Sequence, residues 1–304
     1  MAALTHKALL ATLTTAQRAQ LTQRNNIDGS RQLLVHAGLI GLLVMLIAVR
    51  APLWPLLMLP LGVLLVFLFT LLHETTHRTA FSSRRVNDLI SMCCGWLLFL
   101  PPRWFRYFHF AHHRYTQDPE RDPELATAKL DSMPAYLWHV SGLPVTYSLL
   151  KTLLINAAGR GAEPFVTSEA RAKVIFESRC MLLSYVLLTT AAVVFGFIEF
   201  LLLCWWLPLM IGQPFLRLYL MAEHGRCPFV DNMFANTRTV FTHWLICKLA
   251  WNMPFHAEHH AYPNVPFHRL PQFHLLVKDR LLETSNGYVE FHRQTIHAHR
   301  QQSS

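Results

Sequence analysis

Apolar positions along the chain gather into four long runs. Leu33 to Val49 is almost wholly apolar, interrupted only by His36 and two glycines. Pro52 to Leu72 carries no charge, and neither does Met181 to Ile198. Phe200 to Leu216 is apolar apart from Gln213, with prolines at 208 and 214. A helix needs about 20 residues to cross the hydrocarbon core of a bilayer, and each run is close to that. One such run can be a buried helix of a soluble protein; four in two close pairs argue against it. Only Arg50 and Ala51 separate the first pair, and only Glu199 the second. The pattern predicts an all-α integral membrane protein whose four transmembrane helices form two hairpins, at approximately 33–50, 52–72, 181–198 and 200–220.

Shorter apolar stretches are broken by proline. "VNDLISMCCGWLLFLPP", the stretch from Ser132 and the stretch Thr242 to Pro254 each read as interfacial or re-entrant helices, with Trp244 and Trp251 suited to the headgroup boundary. The expected picture is a four-span domain over 33–270 with interfacial helices and a cytoplasmic helical cap. A polar or amphipathic segment, 1–32, precedes it and a cytoplasmic segment, 271–304, follows. The N-terminal stretch lacks the apolar core and cleavage site of a signal peptide.

Charge fixes the orientation. Lys and Arg number four up to Arg31, thirteen from Arg78 to Arg179 and eight after Met221, against one in the two hairpin tips. The positive-inside rule places both termini and the middle segment in the cytoplasm. The net charge of +9 is thus first a topology signal, and a basic face toward anionic headgroups is a second use. No nucleic-acid fingerprint accompanies it. The six cysteines form no C-x-x-C pair and read as reduced, structural thiols.

The candidate chemistry lies in three histidine clusters. His73 and His77 in "HETTH" follow the second run and share one helix face. His109, His112 and His113 in "HFAHH" have i, i+3, i+4 spacing, and His256, His259 and His260 in "HAEHH" repeat it. All fall on the cytoplasmic side of a topology drawn from charge alone. Eight neutral imidazoles are too many for one tetrahedral zinc and suit two borderline metals, for which iron, zinc and copper are the candidates. His224 in "AEHG", just past the fourth run, is a ninth candidate. His268 and His274 stand close to the third cluster and are outside possibilities; the other histidines read as surface, interfacial or packing residues. Carboxylates accompany the clusters. Glu74, Glu223 and Glu258 each adjoin a histidine, and Asp118 and Asp122 follow the second cluster, where they can orient metal-bound imidazoles. Glu120 and Glu124 read as a solvated acidic loop.

"HETTH", "HFAHH" and "HAEHH", in this order and with two hairpins around them, resemble the three histidine boxes of the membrane fatty acid desaturase and hydroxylase superfamily. The tail "HHAYPNVPFHRLP", which contains Asn264, resembles the continuation in bacterial and sphingolipid desaturases, and Asn264 joins the expected supporting residues. The resemblance covers roughly Leu72 to Leu270. It implies a di-iron centre held by the eight box histidines with His224 as ninth ligand, dioxygen as co-substrate, and a membrane lipid or acyl chain as substrate. An asparagine that assists a metal in the stearoyl-CoA type falls here at Leu220, so that feature does not carry over. No cytochrome b5 domain is apparent in the chain. The expected electron donor is therefore a separate ferredoxin, rubredoxin or cytochrome b5 type protein with its reductase. No catalytic residue is expected beyond the metal ligands.

Desaturation leads among the reactions, with hydroxylation or oxidative decarboxylation as alternatives. His73, Glu74 and His77 also satisfy H-E-x-x-H, the signature of a zinc metalloprotease, but that reading leaves the other two clusters unexplained. A metal carrier or transporter would be expected to place ionisable ligands along its spans.

Overall fold

A computed structural model of the chain describes residues 5–126 and 132–302. Nearly all its regular structure is helical; the described strands are Thr239–Val240 and Thr284–Ser285, paired in parallel. Four helices are long and apolar enough to cross a membrane. The first span, Asn26–Ala48, begins where the Asn25 side chain accepts from Asp28 N. The second is Trp54–His77, the third Ser168–Val194, and the fourth runs unbroken from Ile198 to His224. Each overlaps one of the four apolar runs, but the second and fourth continue past Leu72 and Leu216 to His77 and His224 and so carry the HETTH and AEHG histidines as helical residues.

The second and fourth spans meet backbone to backbone. A Cβ at Gly62 would collide with the Pro208 carbonyl, and one at Gly212 with the Gly62 carbonyl. Small residues that let backbones approach are the usual device for packing helices in lipid, where no hydrophobic force drives them together. This contact brings the C-terminal ends of the two spans to the same end of the bundle. At the opposite end, Arg50 and Glu199 pair at 2.5 Å and tie the two short turns together.

The VNDLISMCCGWLL stretch forms the helix Arg84–Leu97. Aromatic and polar contacts fasten its end between the third and fourth spans. Trp96 stacks on Trp205 at 4.8 Å and donates Nε1–H to Ser184. Trp205 donates to Leu97 O, and Tyr185 to Trp96 O. Trp205 lies in a π-helical turn, Leu202–Trp206. Pro101 and Pro102 then start the second-box helix, Pro102–Tyr115. The stretch from Ser132 makes two helices, Met133–Val140 and Leu143–Ala157, that turn at Gly142. They expose Leu137, Trp138, Tyr147 and Leu154.

One sequence expectation is corrected here. Trp244 is exposed as an interfacial residue should be, but Trp251 is wholly buried, edge-on to Phe267. Trp251 and Asn252 both take positive φ, which turns the chain inward just before the third-box helix, His256–Ala261. His36 is a packing residue as expected, buried with Nε2 2.8 Å from Leu64 O. All six cysteines are free.

Candidate metal centre

All nine candidate histidines converge on one site at the C-terminal ends of the second and fourth spans. They sort into two groups. His73, His77, His109, His113 and His259 offer ring nitrogens all within 4.8 Å of one another, and His112, His224 and His260 form a second such set. His256 joins the second, its Nε2 3.1 Å from His224 Nε2. The second-box helix supplies both sets. His109 and His113, one turn apart, face the first, and His112 faces the second. The third-box helix repeats the division with His259 on one side and His256 and His260 on the other.

The proton positions in the second set follow from the partners. His112 Nδ1 lies 2.9 Å from an Asp122 carboxylate oxygen. A carboxylate that also accepts from Gln117 N and Glu124 N acts only as an acceptor, so Nδ1 carries the proton. His224 Nδ1 donates to the Asn236 carbonyl at 3.3 Å. His260 Nδ1 sits 3.2 Å from Thr116 Oγ1, whose own hydrogen goes to His112 O. With each ring neutral, the inward Nε2 atoms of His112 and His224 are both bare, yet stand 3.1 Å apart. Two lone pairs at that distance repel unless a cation lies between them. Two nitrogens each ~2.1 Å from one ion stand about 3 Å apart at a right angle.

In the first set, ring nitrogens approach at 2.8 Å (His77 to His109), 2.9 Å (His109 to His113) and 3.2 Å (His113 to His259). Both nitrogens of His73, and Nδ1 of His113 and His259, are buried without a hydrogen-bond partner. Buried polar atoms are nearly always partnered; the orphaned His73 nitrogen that faces the set fits a bound metal, while His113 and His259 turn Nε2 inward and Nδ1 away. The donor set is all imidazole, which suits iron, zinc or copper, and nine ligands in two groups fit two ions.

Burial holds the pKa values of His109, His113, His256, His259 and His260 well below the ordinary imidazole value, and neighbouring histidines push the same way. Their rings are neutral, as ligands must be. His112 differs: burial opposes its charge, but Glu124 and the Asp122 hydrogen bond outweigh it and raise the pKa, so Nε2 takes up either a proton facing Glu124 or a metal ion.

The carboxylates divide. Asp122 binds a ligand ring directly. Glu223 Oε1 lies 3.5 Å from His256 Nδ1. Glu74 accepts from Phe267 N at 3.0 Å, linking the first box to the third-box tail. Glu258 accepts from Thr239 Oγ1 and lies 2.5 Å from His274 Nδ1, so His274 supports the third box without facing the centre. Asp118 instead grips Arg121 at the surface, Asn264 is exposed, and His268 contacts Asn25 and Gln23. Glu124, read from sequence as part of a solvated loop, stands with Oε2 3.7 Å from His112 Nε2.

Five supporting residues carried no sequence signal. Asn236 receives His224 on its carbonyl and donates its amide to Thr116 O and Val230 O. Thr116 and Thr239 act as above. Gln117 donates to His224 O. Arg238 donates to Ala222 O and Gly225 O, closing the open carbonyls at the end of the fourth span next to His224.

Residues 32–292 match the family model described as Fatty acid desaturase. Among curated proteins, the chain is 25% identical over 233 residues to dihydrorhizobitoxine desaturase of Bradyrhizobium elkanii, covering 71% of this chain and 65% of that one. It is 27% identical over 233 residues to sphingolipid delta(4)-desaturase DES1 of Drosophila melanogaster, covering 72% and 64%. The match thus spans just under two thirds of each relative's length.

Proposed function

Because the chain belongs to the fatty acid desaturase family, we propose that it is an integral membrane, di-iron oxidoreductase that uses dioxygen to introduce a double bond into a lipid acyl or similar hydrocarbon chain. The observation that carries this reading is the facing pair of inward Nε2 atoms on His112 and His224, 3.1 Å apart and set within nine converging imidazoles. Both relatives are named as desaturases, which favours desaturation over hydroxylation or decarboxylation. The zinc protease reading would need Glu74 as general base, but one Glu74 oxygen is taken by Phe267 N and His73 and His77 are shared among five histidines.

Bound iron supplies the electrons' route to dioxygen and the oxidising power to break an unactivated C–H bond. For each double bond, one dioxygen, two electrons and two protons are consumed and two waters leave, so electrons must be supplied, a role that a separate donor of ferredoxin, rubredoxin or cytochrome b5 type fits. The protein holds imidazoles neutral, fixes the His112, His224 and His260 tautomers from behind, and keeps the centre dry. Placing the basic segments inside puts the termini and the histidines on the cytoplasmic side, where an acyl chain can reach them from the bilayer.

The test is mass spectrometry of membrane lipids from cells expressing the protein or its His112→Ala variant, with iron analysis of both. A new double bond made only by the parent, with two irons per chain, is expected. A gain of one oxygen supports hydroxylation instead, and zinc without iron overturns the reading.

A further inference from the structure

The fourth span carries a cation inside the bundle. Arg217 stands two helical turns before His224, Gln213 one turn before Arg217, and Trp206 two turns before that, so all four share one helix face. Each of the three upstream residues presents a buried polar atom with no hydrogen-bond partner: Trp206 Nε1, Gln213 Oε1 and Arg217 Nε. Gln213 is only 5% exposed. An ionisable side chain within a span marks a functional site by default. A buried guanidinium N–H with no acceptor, on the helix face that ends in a metal ligand, points to an acceptor group bound beside it.

Several other basic residues are already occupied. Arg78, Arg84 and Arg106 converge on Asp88, and Arg103 pairs with Glu177. Arg217 forms no ion pair among the described residues. It feels the charge of Glu223 and Glu124, but each of these faces a histidine, His256 and His112 respectively. On its other side lies the turn between the two helices that follow Ser132. Gly142 takes φ +74°, and a Cβ there would strike Gln213 Cβ, so only glycine lets this turn close over Gln213. His139, from the same turn, is half-buried. Burial, and then the charge of Arg217, push its pKa down to about 4, leaving a neutral ring able to donate a hydrogen bond.

We propose that Arg217 anchors the carboxylate of the substrate, with the neutral ring of His139 beside it, so that the molecule oxidised is a free carboxylic acid rather than a thioester or glycerolipid. This rests on the desaturase reading and names its substrate class. A single guanidinium matches a carboxylate in a two-pronged fork; a phosphate dianion beside Glu223 and Glu124 would call for a second cation. Seven residues of helix put Arg217 within roughly 10 Å of His224 along the axis, a separation that a medium-chain acid bridges.

The test is equilibrium binding of decanoate, methyl decanoate and decyl phosphate to the full, iron-loaded chain in nanodiscs. Wild type is expected to bind the acid at least about tenfold more tightly than the ester. Arg217→Gln brings the ratio to about one with ester affinity unchanged, and Arg217→Lys keeps part of the preference. Equal affinity for acid and ester in wild type overturns the proposal, as does a preference that survives Arg217→Gln. Decyl phosphate binding more tightly than decanoate overturns the carboxylate assignment. If Arg217→Gln fails to fold, the wild-type comparison decides, together with a several-fold loss of acid affinity in His139→Phe. Iron content and lipid desaturation are read separately. An iron-loaded chain that desaturates a membrane lipid but binds acid and ester alike sinks only the anchor. A chain that prefers the acid but takes up no iron sinks only the desaturase reading.

Discussion

The two histidine groups sit side by side yet are built differently. In the group of His112, His224, His256 and His260, three rings are fastened from behind: by Asp122, by the Asn236 carbonyl and by Thr116. In the group of five, His73, His113 and His259 have no such partner on their outward nitrogens. The five rings instead hang on helices already locked by packing, with His73 and His77 on the second span and His109 and His113 on the second-box helix. One site fixes its geometry through hydrogen bonds to each ring; the other fixes it through backbone rigidity and one more ligand. The lesson is that the two metals proposed for this centre would be held to different tolerances, the four-histidine position tightly oriented and the five-histidine position redundant.

The largest effect that can break this contrast comes from removing ligands. Metal-binding free energies of about 10–16 kcal/mol for four-ligand sites come to about 3 kcal/mol per ligand. On that scale, His260→Ala weakens its ion about 100-fold and leaves three ligands, whereas His113→Ala leaves four. Iron analysis after dialysis is expected to show one iron in His260→Ala and nearly two in His113→Ala, with product formation lost in the former. Equal iron loss in both would end the contrast.

A smaller effect sharpens it. Asp122→Asn keeps the shape but can no longer hold His112 in one tautomer. Loss of such a partner costs about 10–100-fold in metal affinity or activity. The loss should appear at the four-histidine position alone, read as one weakly and one tightly held iron in a chelator titration. Arg238→Met acts on the fold rather than on a histidine ring. It removes hydrogen bonds to Ala222 O and Gly225 O at 2.9 and 2.7 Å and the partner of Glu283. A loss of about 2–3 kcal/mol is expected in thermal unfolding, with looser iron at the His224 side.

How much of this was legible in the sequence depends on distance along the chain. The spans and the boxes were readable because helical spacing is local: His109, His112 and His113 declare their faces by position alone. Asp122 was readable as a neighbour of the second box, and Asp118 looked its equal. What separates them is a turn at Gln117, with φ +63°, that sends Asp122 back to His112 and leaves Asp118 facing Arg121. Nothing in "YTQDPERDPE" announces that reversal. Asn236, Arg238 and Thr239 were illegible for another reason: they reach the site only because the chain folds back under the fourth span. Arg217 did carry a signal. It is the one basic residue inside the expected fourth span, and counting charge only outside the spans passed over it.

The finest prediction concerns Thr116, the smallest of the three fasteners. Its hydroxyl caps the second-box helix by donating to His112 O at 2.8 Å and accepts from His260 Nδ1 at 3.2 Å. It therefore couples a ligand on the second box to one on the third. Thr116→Val keeps shape and volume and removes both bonds. A neutral hydrogen bond contributes about 1 kcal/mol net, so iron affinity at the four-histidine position should fall about fivefold while the five-histidine position is untouched. Thr116→Ser, which keeps the hydroxyl, should restore it. The same substitution logic has no counterpart among the five, because His73, His113 and His259 have no outward partner to remove. If Thr116→Val loosened both irons equally, the rings would be acting as one rigid unit, and the distinction between a fastened site and a redundant one would dissolve.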